Sequence, residues 1–80
     1  MSFLSTILAA VKELAPGDHT ADTAILDDAG LDSLDYATVV VRTEDELVVK
    51  LREEDIDWPS VRTIGELADA FERHAARPGA

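Results

Sequence analysis

Three stretches of this 80-residue chain repeat apolar residues at intervals of three and four positions, the period of one helix face. The first covers residues 3–14, where the spaced residues are Leu4, Ile7, Leu8, Val11 and Leu14. The second extends from about Ser33 to Val49, and the last covers residues 64–75. Because each helix would have one apolar face to bury, the three helices must pack on one another.

Helix-breaking residues divide the chain between these stretches. Pro16 and Gly17 end the first helix, since proline disfavours helical backbone at the residue before it and glycine permits a reversal. Pro59 ends a short third helix or helical turn predicted for residues 53–58. The expected fold class is therefore all-α, a small four-helix bundle of three main helices and one short helix.

A long loop of residues 15–32 is expected between helices 1 and 2. Such a length is unusual inside a compact domain unless the loop is pinned or functional. Ile25, Leu26 and Leu31 are the expected apolar anchors that insert between the helices.

The second stretch contains three consecutive valines, a composition that favours a β-strand. We predict a helix, because the charged residues from Arg42 to Glu46 and the flanking leucines suit a period of 3.6 better than a period of 2. The expected inward positions are Val39, Val40, Thr43 and Leu47, with Leu51 just past the helix end. At the start of the last helix, Thr63 and Glu66 have the spacing of a capping box.

Composition and charge narrow the functional classes. A chain of this length forms one domain, assigned to residues 1–76 with a flexible tail at 77–80. Residues 18–57 contain thirteen acidic and three basic side chains, and so hold the whole net charge of −10. This surface repels nucleic acid and anionic membranes, and attracts basic partner proteins. No apolar run reaches membrane-spanning length.

The absence of cysteine excludes a disulfide framework and a thiol nucleophile in the chain itself. It is also consistent with a cytoplasmic location. The chain has two histidines, His19 and His74, and no Gly-x-Ser-x-Gly motif, so a serine hydrolase is not expected. The acidic residues do not follow a calcium-binding EF-hand pattern, and no metal site is predicted. We therefore do not expect an enzyme.

The string from Gly30 to Asp35, Gly-Leu-Asp-Ser-Leu-Asp, places Ser33 between two carboxylates at the start of the second helix. One interpretation is purely structural, in which Ser33 caps the helix. With the acidic run Glu44-Asp45-Glu46 and the closing segment Thr63–Leu67, however, the string resembles the acyl carrier protein family over about residues 3–75.

The resemblance implies that Ser33 carries a phosphopantetheine arm derived from coenzyme A, whose thiol holds an acyl or aminoacyl cargo. Asp32 would help a phosphopantetheinyl transferase hold its Mg²⁺. The implied partners are this transferase, a loading enzyme of the acyltransferase or adenylation type, and downstream condensing or tailoring enzymes, with the chain acting as a monomer. The implied partner contacts are apolar and acidic side chains, namely Leu34, Asp35, Ala37, Val41, Glu44 and Asp45.

Three residues depart from the pattern of fatty acid carriers. Thr38 stands where an acidic residue is usual, and Arg42 and Thr43 stand where apolar residues usually face the core. These departures favour a carrier for polyketide or nonribosomal peptide biosynthesis, with a fatty acid carrier as the alternative within the family. The alternative from a different class is an unmodified acidic adaptor whose second helix docks into a basic groove.

Overall fold

The computed structural model describes residues 2–76 and contains three α-helices. They are α1 (Phe3–Leu14), α2 (Ser33–Leu47) and α3 (Ile64–His74). α1 has the predicted bounds, whereas α2 ends two residues earlier and α3 one residue earlier than predicted. α1 packs against both other helices, so its apolar face forms the middle of the core. Within the described chain, no helix has the length and apolarity needed to cross a membrane.

The core consists mainly of aliphatic residues from the three helices. Phe71 of α3 is fully buried, and its ring stacks on that of Phe3 with the centroids 5.3 Å apart. Val39 and Val40 are buried as predicted, and so is Thr43, whose hydroxyl donates to the Val39 carbonyl at 2.8 Å. Because this bond satisfies the hydroxyl, a polar residue is tolerated in the core.

Residues 15–32 connect α1 to α2 and are attached to the start of α3. Ala24 and Thr63 form an isolated antiparallel bridge. Beside it, the Ile25 N–H donates to the Arg62 carbonyl at 2.9 Å. The connection is therefore pinned to the third helix rather than looped freely into solvent.

Two of the three expected anchors in this connection lie in the core. Ile25 and Leu31 are buried. Leu26 was expected to insert with them, but it is 47% exposed, because the adjacent Ile25 takes the interior position.

The region after α2 differs most from the predicted bundle. Residues 53–58 were expected to form a short helix or helical turn, and Glu53–Asp55 forms a 3₁₀ turn. A second 3₁₀ turn, Trp58–Ser60, contains Pro59, which was expected to end the helical segment. An antiparallel pair joins β1 (Lys50–Leu51) to β2 (Ala75–Ala76). The described chain is thus mostly helical with three α-helices and one short strand pair. The predicted tail at 77–80 lies outside the described residues.

Candidate functional site

α2 begins with a capping box made of two aspartates. Asp32 is the N-cap residue, and its Oδ1 accepts a hydrogen bond from the Asp35 N–H at 2.8 Å. The Asp35 Oδ2 accepts from the Asp32 N–H at 3.5 Å. The interpretation of Ser33 as the cap is therefore wrong. Ser33 is the exposed first residue of the helix, and its hydroxyl is not needed for capping.

A turn and a buried anchor set the approach to Ser33. Gly30 has a φ of 73°, in the left-handed region that favours glycine. A Cβ at Gly30 would meet nothing within 4 Å, so the backbone conformation rather than crowding accounts for the glycine. The next residue, Leu31, is buried, and its N–H donates to the Ile25 carbonyl at 3.3 Å. With Leu31 held in the core, Ser33 emerges at the surface two residues later.

A surface groove of about 460 Å³ opens beside Ser33. One wall contains Tyr36 and Trp58, whose rings meet edge to face with centroids 5.9 Å apart. The Tyr36 hydroxyl donates to the Val61 carbonyl at 3.1 Å, which ties α2 to the segment before α3. The other lining residues are Ala24, Leu26, Asp27, Pro59 and Arg62.

Two titratable groups near this groove have shifted pKa values. Burial, and to a lesser extent the negative charge of Glu66, raise the pKa of Tyr36 to about 12. The phenol is therefore protonated at neutral pH and remains a donor to Val61. Hydrogen bonds from the backbone N–H groups of Thr63 and Arg62 lower the pKa of the exposed Glu66 carboxyl.

The outer face of α2 carries four of the residues that the sequence marked as partner contacts. Leu34 is 78% exposed and Val41 is 52% exposed. Ala37 and Asp45 are exposed as well. Spacings of three and four residues keep these four side chains on the same side of the helix. Asp35 is half-buried, and its carboxylate takes part in the capping box.

Glu44 does not belong to this outer face. It is only 8% exposed, and its carboxylate accepts from the Leu51 N–H at 2.7 Å. The Lys50 Nζ lies 3.9 Å from the same carboxylate oxygen. This position contradicts the expectation that Glu44 offers an acidic contact to partners. The physical reason is that the chain leaving α2 folds back over the Glu44 side chain.

The helix start, the groove and the outer face of α2 all lie within a recognised family domain. Residues 2–71 match the family model described as "Phosphopantetheine attachment site". The chain belongs to this family. Phosphopantetheine is accordingly its cofactor.

Several curated proteins resemble this member of the phosphopantetheine attachment site family. An "Acyl carrier protein" of Rhodococcus erythropolis is 34% identical over 64 residues, which cover 80% of this chain and 68% of that protein. A "Meromycolate extension acyl carrier protein" of Mycolicibacterium aurum is 33% identical over 64 residues, covering 80% of this chain but only 64% of that relative's length. An "Acyl carrier protein" of Clostridium perfringens is 26% identical over 74 residues, 92% of this chain and 95% of that protein. No solved structure gives a significant match.

The surroundings of Ser33 fit the family's cofactor. An exposed hydroxyl in the first turn could carry a phosphodiester without breaking the capping bonds, and the free N–H groups and the dipole of a helix start favour a phosphate. Asp32 and Asp35 oppose a phosphate by like-charge repulsion, whereas Arg62 supplies a cation on the wall of the same groove. The cofactor supplies a thiol, a group that this cysteine-free chain lacks.

Sequence reasoning overlooked two features of this site. The first is the capping box at the start of α2. Asp32 and Asp35 have the same spacing as Thr63 and Glu66, so the spacing that predicted the α3 cap could also have predicted this one. The second is the groove beside Ser33. No local sequence pattern indicates it, because its walls come from segments distant in the chain. Trp58 is half-buried, packs against the core and lines this groove.

Proposed function

We propose that Ser33 is the attachment residue and that the chain is a carrier protein, which holds an acyl or aminoacyl group as a thioester. The observation that carries this proposal is the exposed Ser33 hydroxyl at the start of α2, left free by the Asp32 cap and bordering a groove. The family match over residues 2–71 includes this position.

Attachment is a phosphoryl-group transfer from coenzyme A. The bond between the Ser33 Oγ and phosphorus forms, and the bond from phosphorus to the adenosine bisphosphate leaving group breaks. The hydroxyl proton passes to the transferase or to solvent. Asp32 is exposed, and its Oδ2 is not the oxygen that accepts the capping bond from Asp35. We assign to this oxygen the support of the Mg²⁺ that the transferase holds.

The proposed partner surface is the outer face of α2. It comprises Leu34, Ala37, Val41 and Asp45, with the half-buried Asp35 beside them and without the buried Glu44. Acidic side chains beside apolar ones suit partners with basic rims and a fast, charge-steered association. The partners are a phosphopantetheinyl transferase, a loading enzyme, and condensing or tailoring enzymes, met by a monomeric and cytoplasmic chain.

For the cargo, we propose biosynthesis of the polyketide or nonribosomal peptide type. Thr43 places a hydroxyl in the core, and Arg42 points outward to an ion pair with Glu13. Neither side chain enlarges the apolar interior that would sequester a fatty acyl chain. Fatty acid synthesis is the second candidate, supported by the names of the relatives. A medium-length fatty acyl cargo that shifts the NMR resonances of the buried Val39 and Leu67 would favour this second candidate.

The attachment is tested by incubating the chain with coenzyme A, Mg²⁺ and a broad-specificity phosphopantetheinyl transferase. Intact mass is expected to rise by one phosphopantetheine. Trypsin releases residues 13–42 as one peptide in which Ser33 is the only serine, and the added mass should be found there. Ser33→Ala should keep its helical content and gain no mass, whereas Ser5→Ala and Ser60→Ala should be modified like the wild type.

A modified Ser33→Ala variant would contradict the assignment of the attachment residue. A well-folded wild-type chain that gains no mass would contradict the carrier function itself. The second result would leave the unmodified acidic adaptor, with α2 docked in a basic groove, as the better proposal.

A further inference from the structure

The groove beside Ser33 has two walls that come from distant parts of the chain. One wall comes from the connection before α2, at residues 24–27, and the other comes from residues 58–62. Ser33 and Tyr36 of α2 complete the lining. The groove volume of about 460 Å³ lies within the range of small-molecule binding sites.

Hydrogen bonds fix the walls of this groove relative to each other. The Ile25 N–H donates to the Arg62 carbonyl at 2.9 Å, and the Arg62 N–H donates to the Glu66 carboxylate at 3.1 Å. The Tyr36 hydroxyl donates to the Val61 carbonyl at 3.1 Å. The groove is therefore formed before a ligand enters it, which lowers the free-energy cost of ordering the site on binding.

Apolar side chains cover much of the groove surface. Leu26 is 47% exposed, although large apolar side chains usually lie inside a fold. Trp58 is half-buried, and its ring meets that of Tyr36 edge to face. The adjoining Pro59 is exposed. A ligand with an apolar part would cover these groups and remove them from water.

The groove also holds a cation, the Arg62 guanidinium. Arg62 is exposed, and within residues 2–76 its side chain takes part in no ion pair. Its backbone is held on both sides by the bonds to Ile25 and Glu66. Among the described lining residues, Asp27 is the one acidic side chain. The arrangement suits a ligand that has an anionic group for Arg62 and a neutral remainder.

We propose that this groove holds the phosphopantetheine arm against the protein, with Arg62 contacting the phosphodiester and Trp58 packing on the pantetheine. The inference rests on the proposed function, in which the arm is attached to Ser33, itself a lining residue. The arm has an anionic phosphodiester at its attached end and geminal methyl groups close to it, which match a cation and an apolar wall. Because attachment gives the arm a high effective concentration at the groove, weak contacts suffice to hold it.

The test compares the apo chain with the fully modified chain, whose modification is verified by intact mass. Trp58 is the only tryptophan, so its indole N–H gives a single NMR signal. This signal should shift on modification, and the methyl protons of the arm should give nuclear Overhauser effects to the Trp58 ring. Acrylamide quenching of Trp58 fluorescence should fall about twofold, because a bound small molecule covers most of the surface that it adjoins.

A pair of arginine variants tests the contact with the phosphodiester. Arg62→Gln keeps the backbone bonds and should lower the ratio of held to free arm about two- to fivefold, the scale of one exposed ion pair. Arg52→Gln makes the same change at an exposed arginine outside the groove and should leave the ratio unchanged.

A pair of leucine variants tests the apolar wall. Leu26→Ser should weaken the Overhauser effects between the arm and Trp58, because it removes apolar surface from the groove. Leu34→Ser changes an exposed leucine next to Ser33 that does not line the groove, so it should leave these effects unchanged. Both variants are compared after complete modification.

A fully modified chain without Overhauser effects between the arm and Trp58 would overturn the arm site while the proposed function stands. Equal losses of held arm in Arg62→Gln and Arg52→Gln would overturn the specific role of Arg62. A well-folded wild-type chain that is never modified would overturn the proposed function, and the arm site with it.

Discussion

α2 and α3 begin with the same hydrogen-bonding device in different surroundings. At α3, the Thr63 hydroxyl accepts from the Glu66 N–H at 3.1 Å, and the Glu66 carboxylate accepts from the Thr63 N–H at 2.9 Å. At α2, both members of the box are aspartates, and the return bond from the Asp32 N–H, at 3.5 Å, lies at the outer limit of a hydrogen bond.

What packs on the first turn decides what each helix start does. At α3, the Gly65 N–H donates to the Ala21 carbonyl at 2.8 Å, and Ala24 bridges to Thr63. At α2, Ser33 and Leu34 are exposed. One cap therefore fastens a loop to the fold, and the other presents a hydroxyl to solvent.

The two helix starts should differ most in how substitution of the second helical residue changes the free energy of unfolding. Gly65→Leu should lower the free energy of unfolding by about 2 kcal/mol, as expected for overpacking. A Cβ at Gly65 would already lie 3.1 Å from the Ala21 carbonyl oxygen and 3.2 Å from the Ala21 Cβ. Leu34→Ala, at the equivalent position of α2, should change it by about 0.5 kcal/mol or less. Urea denaturation measures the free energy of unfolding of both variants. Equal losses would contradict the proposed difference between the two helix starts.

The role of Asp32 as the cap of α2 can be tested separately from the role of its negative charge. Asp32→Asn should leave the free energy of unfolding nearly unchanged, because asparagine caps as well as aspartate. Transfer of phosphopantetheine to Ser33 should nevertheless slow about tenfold, the scale for losing a group that supports a bound metal. The measurement is the transferase kcat/KM under matched conditions. An unaltered rate would show that Asp32 serves α2 only as a cap.

The α3 cap should affect stability alone. Thr63→Ala is expected to lower the free energy of unfolding by about 1 kcal/mol, whereas Thr63→Ser, which keeps the accepting hydroxyl, should match the wild type. Calorimetry would detect a fall of about 4 to 8 °C in melting temperature. Well below that temperature, Ser33 should be modified at the normal rate. Slowed modification there would mean that the two helix starts are coupled.

The smallest predicted effect concerns Tyr36, which links the two regions through Val61. Its pKa is raised from 10.0 to about 12. The unfolded state therefore loses the phenolic proton first, and this contribution to stability is complete below about pH 10 and falls as the pH rises towards 12. Ultraviolet absorbance follows the ionisation directly, because the chain has one tyrosine. Tyr36→Phe should lack this alkaline step, and a wild-type phenol that ionises near 10.0 would contradict the burial argument.

The sequence indicated most of the helical framework but less of the site. The apolar spacing predicted α1 to the residue and the start of both other helices, and Thr63 with Glu66 predicted the α3 cap. Within the site, Ser33 stays a prediction as the attachment residue, while the alternative interpretation that made it the helix cap is wrong, because Asp32 is the cap. Serine and aspartate are equally good N-cap residues, so local preference could not decide between Ser33 and Asp32.

The sequence by itself determined the features that depend on a few neighbouring residues: helical period, proline and glycine breaks, cap spacing and the acidic setting of Ser33. Only the tertiary structure decided the burial of Glu44 and the exposure of Leu26. Each of these depends on segments far apart in the chain, such as β1 beside β2 or residues 21–25 on the start of α3. Such contacts form only when the whole core assembles, so they leave no local periodicity to read.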